Sequence, residues 1–160
     1  MSFDTASDLR DLLALYAAAD LASDSPRFLD RPAEGKWSPG EHLYHVEMVN
    51  RGVLGALRYI ETGRGSSDPV SPDAIAFLQA SVFPTRKAPP NVQPPSDLTV
   101  EAGAQLRSTN QSRWADVDVD TVSAQTDTIP HPFLGPLGAA EWVRFALIHT
   151  RHHHGLAGVG

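Results

Sequence analysis

Residues 139–155 read AAEWVRFALIHTRHHHG, and the fold follows from how this stretch distributes its side chains. At about 100° per residue over 139–157, Trp142, Phe145, Ala146, His149, His153 and Leu156 fall on one face of a helix. Two imidazoles one turn apart therefore occupy an apolar stripe, where Leu or Ile would be ordinary. Burying an imidazole with nothing to bond is costly, so both histidines need a partner, and the simplest shared one is a metal ion. Core histidines bonded to carbonyls or carboxylates fit the same i, i+4 spacing. Thr150 stands where a zinc-peptidase helix would carry its Glu, which excludes that motif. His152 lies at the edge of the stripe. His154 points to a different face and is expected in solvent.

Working outward, residues 37–45 read WSPGEHLYH. Ser38-Pro39 is a helix start, with Ser as N-cap and Pro at the first helical position. The helix is expected to reach about Glu61 and stop at Gly63. Its stripe is Leu43, Val46, Asn50, Val53, Leu57 and Ile60, broken only by Asn50. A third metal ligand should come from a second helix, and His42 and His45 are the candidates. Periodicity puts His42 closer to the stripe and His45 to its side; either is otherwise a partly exposed histidine in a first turn.

Leu9, Leu12, Leu13, Tyr16 and Ala17 predict a helix over roughly residues 5–22, with N-caps on offer at Asp4, Thr5 and Ser7. Residues 23–35 and 63–72 read as loops, and 73–82 as a short helix. Residues 84–95 hold five prolines, so this insert is neither helix nor central strand; it is expected to lie extended across the helices. A further helix runs from Ser96 or Thr99 to about Trp114, capped by Ser96-Asp97, on a weak apolar pattern. Val117, Val119 and Thr121 read as loop rather than strand. Pro130-His131-Pro132 and Gly135-Pro136 break the chain before the last helix. Four amphipathic helices predict an all-α, four-helix bundle occupying residues 1–160 as one domain, with the proline-rich insert between the second and third long helices.

Composition narrows the chemistry. Thirteen Lys and Arg against nineteen Asp and Glu give a formal charge of −6, no basis for gripping nucleic acid. The chain has no cysteine, so a metal must use His, Asp or Glu, and thiol chemistry must import its thiol. The longest apolar run, Leu12–Ala19, is too short for a membrane span. The acidic N-terminus lacks the pattern of a signal peptide, so a cytoplasmic protein is expected.

WSPGEHLYH resembles the second-helix signature of the DinB/YfiT-like superfamily of metal-dependent enzymes, Trp-Ser-Pro followed by a histidine eight residues after the Trp. HPFLGPLGAAEWVRFALIHTRHHHG, residues 131–155, is similar to its final helix, and the insert VFPTRKAPPNVQPP to one of its branches. The resemblance implies an up-down-down-up bundle with a divalent metal, zinc or nickel by ligand type, on His45, His149 and His153. His42 then takes a position the family fills with an aliphatic residue. His131, His42 and His152 are expected beside the ligands or facing the substrate. Gly155, Ala157, Gly158 and Gly160 depart from the family and predict early fraying of the last helix.

Three protein ligands leave a position open for water or substrate. Relatives implied by the resemblance include thiol-dependent S-transferases and an isomerase. The function expected is a metal-dependent transferase or detoxification enzyme joining a small-molecule thiol to an electrophile. The alternatives are a metal-dependent hydrolase, with Glu41, Glu47 or His131 carrying protons, and a non-catalytic metal-binding or interaction protein. A homodimer through helix faces is a further expectation.

Overall fold

The computed structural model describes residues 3–160; Met1 and Ser2, at the start of the expected domain, lie outside them. Four long helices dominate: α1 Thr5–Ala22, α2 Pro39–Glu61, α4 Val100–Ala115 and α6 Ala139–Ala157. Two short ones, α3 Pro72–Ala80 and α5 Val119–Ala124, lie between them. A hairpin of β1 Thr128–His131 and β2 Gly135–Gly138 leads directly into α6. Helices α1 and α2 each pack on both α4 and α6, so the four long helices close a ring around the main hydrophobic core, with Ala19, Phe28 and Leu43 in a smaller cluster.

The start of α2 is fixed by its sequence. Ser38 Oγ accepts from the Glu41 N–H at 3.1 Å, and the Glu41 carboxylate accepts from the Ser38 N–H at 2.8 Å, a capping box. Trp37, just before the cap, packs its ring 5.4 Å from that of His42 in the next turn, a staple across the helix start. Gly40 donates its N–H to the Phe28 carbonyl at 2.7 Å. A Cβ at Gly40 would fall 2.9 Å from the ring of Phe28, which is buried, and 2.6 Å from Leu29 Cδ2. Glycine there lets the 23–35 loop lie against the helix.

Every member of the α2 stripe is buried, Asn50 included. Its amide donates to Tyr16 Oη and Thr150 Oγ1, both at 3.4 Å, linking α1, α2 and α6. On α1 the buried edge is Leu9, Leu12, Tyr16 and Ala19, while Ala17 is exposed. Helix α4 turns Gly103, Arg107, Asn110 and Trp114 inward. Two of these four are polar and one is Gly, which is why its apolar pattern is weak. Its cap is Thr99, whose hydroxyl accepts from the Ala102 N–H, in place of Ser96-Asp97.

Three expectations need correction. Residues 119–124, read as loop, form α5, capped by Asp118 accepting from the Thr121 N–H at 2.8 Å. The Pro-rich stretch before α6 is a hairpin with Pro130 opposite Pro136 and Gly135 at φ +72°; proline is tolerated in a two-stranded ribbon because both strands are edges. Helix α6 continues through Gly155 and ends at Gly158, φ +69°, where a left-handed residue closes the last turn.

Ser38→Ala should lower unfolding stability by about 1 kcal/mol. Gly40→Ala should cost more, about 1–3 kcal/mol, because the Phe28 ring must move. Urea denaturation followed by far-UV circular dichroism measures both; equal or negligible losses would contradict the packing described.

Candidate metal centre

Helices α2 and α6 face each other, and each turns histidines into the gap. One ring nitrogen from each of His45, His149 and His153 falls within 4.8 Å of the others. His45 and His149 are buried and His153 half-buried. His45 Nδ1 donates to the Val92 carbonyl at 2.7 Å, since that oxygen can only accept. The lone pair of neutral His45 is thereby fixed on Nε2, which lies 3.3 Å from His149 Nε2.

This geometry fits a metal. Nitrogens about 2.0–2.1 Å from a tetrahedral ion lie about 3.3 Å apart. A carbonyl on the far nitrogen is the usual orienting partner of a ligating imidazole. His149 Nδ1 is buried without a hydrogen-bond partner among the described residues, so this ring depends on Nε2 for its polar contacts. Burial pushes His149 well below the ordinary histidine range, helped by the neighbouring His45, His152 and His131. Burial, with His149, His45, His42 and His152 around it, does the same to His153. Burial lowers His45 too, against its bond to Val92. All three are held neutral, the form that binds a metal.

The other histidines divide. His42 Nδ1 meets His153 Nδ1 at 3.0 Å, so His42 stands behind one member of the cluster and outside the group of three. His152 is half-buried against the Phe83 ring, centroids 5.1 Å apart. His154, expected in solvent, is buried; burial and the nearby Arg107 lower its pKa to about 4. Its helix face looks towards α4, which the hydrophobic pattern of α4 did not reveal. His131 is buried in the wall of the same cavity as the cluster. Its Nδ1 accepts from the Phe133 and Leu134 N–H groups at 3.1 and 3.3 Å. Burial lowers its pKa to about 4, so near neutrality it is uncharged with its proton on Nε2. The Phe145 ring lies 4.4 Å from His131 and stacks at 5.5 Å on His149, separating His131 from the cluster.

Glu41 and Glu47 do not line this cavity. Burial alone would raise Glu41, but the Arg31 guanidinium and the Ser38 N–H outweigh it and hold the carboxyl low. Glu47 lies in the core, accepting from Tyr16 Oη at 3.1 Å and Asn110 Nδ2 at 2.8 Å. Burial lifts it to about 7 despite those bonds.

The cavity, about 2200 Å³, opens from the three histidines towards the hairpin. The proline-rich insert, expected to lie extended across the helices, lines this cavity and includes a 3₁₀ turn: Pro90–Val92 carries the carbonyl that holds His45, and Phe83 packs 5.5 Å from His149. Trp37 sits 5.2 Å from His45 and Trp142 5.2 Å from His131, ring to ring. Trp142 is buried and Trp37 half-buried, so both indoles build the wall. Sequence reasoning missed Val92 and Phe83, which lie in the proline-rich insert, where no periodicity marks them.

A profile described as the DinB superfamily matches residues 8–157. The chain belongs to that superfamily. No curated protein and no solved structure matches it significantly. The superfamily assignment agrees with a three-histidine cluster able to hold a divalent metal. Among the described residues, no helix is long and apolar enough to cross a membrane.

Replacing His45, His149 or His153 with Ala should each reduce zinc or nickel bound per chain at least tenfold, a loss of about 1.4 kcal/mol or more. His42→Ala should reduce it less. Elemental analysis after dialysis against a metal buffer gives the comparison; metal retained by His45→Ala and lost by His42→Ala would reverse the assignment.

Proposed function

We propose that this DinB-superfamily protein is a metal-dependent enzyme joining a small-molecule thiol to an electrophile. The observation that carries the reading is three neutral histidines converging at one end of a large, largely apolar cavity. The ring of contacts among the long helices supports a four-helix bundle, up-down-down-up in the superfamily's manner. His45, His149 and His153 are the ligands, and zinc or nickel suits a three-imidazole set. When bound, the ion supplies Lewis acidity that holds a thiol as thiolate near neutral pH.

The chain's own residues do the rest. His42 orients His153 through their Nδ1 contact, leaving the other nitrogen of His153 for the ion. The Val92 carbonyl orients His45. Phe83 and Phe145 wall the cluster with apolar surface and limit water around it. His131 presents Nε2–H to the cavity as a neutral donor of fixed tautomer, suited to an electrophile's carbonyl or leaving oxygen. The thiol must be a cosubstrate, because the chain has no cysteine.

The test is a screen of low-molecular-weight thiols against small electrophiles, with metal-loaded and chelator-treated protein side by side. Product should require both thiol and metal. Ester hydrolysis without thiol would favour the hydrolase, and bound metal without turnover a binding protein. His131→Ala should leave metal content intact and lower kcat/KM by about tenfold to a hundredfold; loss of metal would make it a ligand, and unchanged turnover a bystander.

A further inference from the structure

The charges on the cavity wall oppose those of the whole chain. The protein has thirteen Lys and Arg and nineteen Asp and Glu. Four of the cations, Lys36, Arg51, Arg86 and Lys87, line the cavity, against a single acid, Asp73. None of these four forms an ion pair with a carboxylate among the described residues, whereas six of the other nine cations do. A wall carrying three net positive charges inside a −6 chain is a focused field for an anion.

Exposed apolar surface gathers in the same place. Of six exposed large hydrophobic residues among those described, four, Tyr59, Val82, Phe133 and Leu156, line this cavity. Two of the features meet: the Arg86 guanidinium lies 4.9 Å over the Phe133 ring, joining the insert to the hairpin tip. A guanidinium held on an aromatic face keeps its N–H edges free for two oxygens of an oxyanion.

We propose that the cavity takes a small organic anion with an apolar, ring-sized body. Arg86 and Lys87 hold its carboxylate, sulfonate or phosphate, and the body lies along Phe133 towards Phe83. This rests on the reading of the cavity as the substrate site, and names the charge and shape of the electrophile. A second copy of this chain, itself at −6, would instead bring a broad acidic surface to the same rim.

The test compares two fluorescent probes of similar shape, anionic 8-anilino-1-naphthalenesulfonate and neutral N-phenyl-1-naphthylamine, on metal-loaded and chelator-treated protein. The anionic probe should bind more tightly and weaken as salt rises. The double variant Arg86→Gln, Lys87→Gln should lose about three- to tenfold in affinity for it, with the neutral probe unchanged. Arg113→Gln, an exposed cation away from the cavity, should change neither; near-UV circular dichroism confirms that each variant is folded. Equal affinity for the two probes, an equal loss in Arg113→Gln, or concentration-dependent dimerisation that excludes both probes would overturn the proposal. Probe selectivity needs neither metal nor thiol, so its failure is separable from failure of the enzymatic reading.

Discussion

The contact between α2 and α6 is the constraint on which the site depends. Two long helices meet through imidazoles where aliphatic side chains would ordinarily interlock. A buried polar group left without a partner costs about 1–3 kcal/mol, so the cluster must satisfy its nitrogens locally. Val92 does so for His45, leaving its Nε2 towards His149, while His42 and His153 share one proton between their Nδ1 atoms. His149 Nδ1 has no hydrogen-bond partner among the described residues. The interface thus favours a set of neutral rings, the form in which imidazoles can hold a metal ion. The proline-rich insert completes the site because its backbone, lacking regular pairing, can offer a carbonyl at the place His45 requires.

The same helix pair carries a second polar region inside the ring of helices. Asn50 reaches Tyr16 and Thr150, and Glu47 accepts from Tyr16 and Asn110. Thr150 is the neighbour of His149, and Glu47, two residues after His45, lies across α2 from it. Both helices that carry the cluster are therefore also tied by directional bonds, through Glu47 and Asn50 on α2 and through Thr150, next to His149, on α6. Such bonds fix rotation about the helix axis more sharply than apolar packing does.

How much was legible in the sequence follows from what each residue had to satisfy. Ser38-Pro39 and the regular α2 stripe marked that helix to within a residue, because caps and 3–4 periodicity are local. The i, i+4 pair on α6 was legible for the same reason. The third histidine was not: periodicity favoured His42, and only the resemblance pointed to His45, because ring convergence depends on how α2 turns against α6. Helix α4 was faint because Arg107 and Asn110 face inward to meet Asp20 and Glu47, partners far away in sequence. The burial of His154 was hidden with them. The hairpin escaped because its prolines look like breakers, and its pairing is visible only in three dimensions.

The central claim is that His45, His149 and His153 hold one ion. Its most direct test is anomalous X-ray scattering at the zinc edge from crystals of the zinc-loaded protein. A single strong peak is expected about 2.0–2.1 Å from one nitrogen of each of the three rings, with His42 outside bonding distance. A peak bonded to His42 or His152 in place of His45, or density spread over several weak sites along the histidine-rich turn, would contradict it.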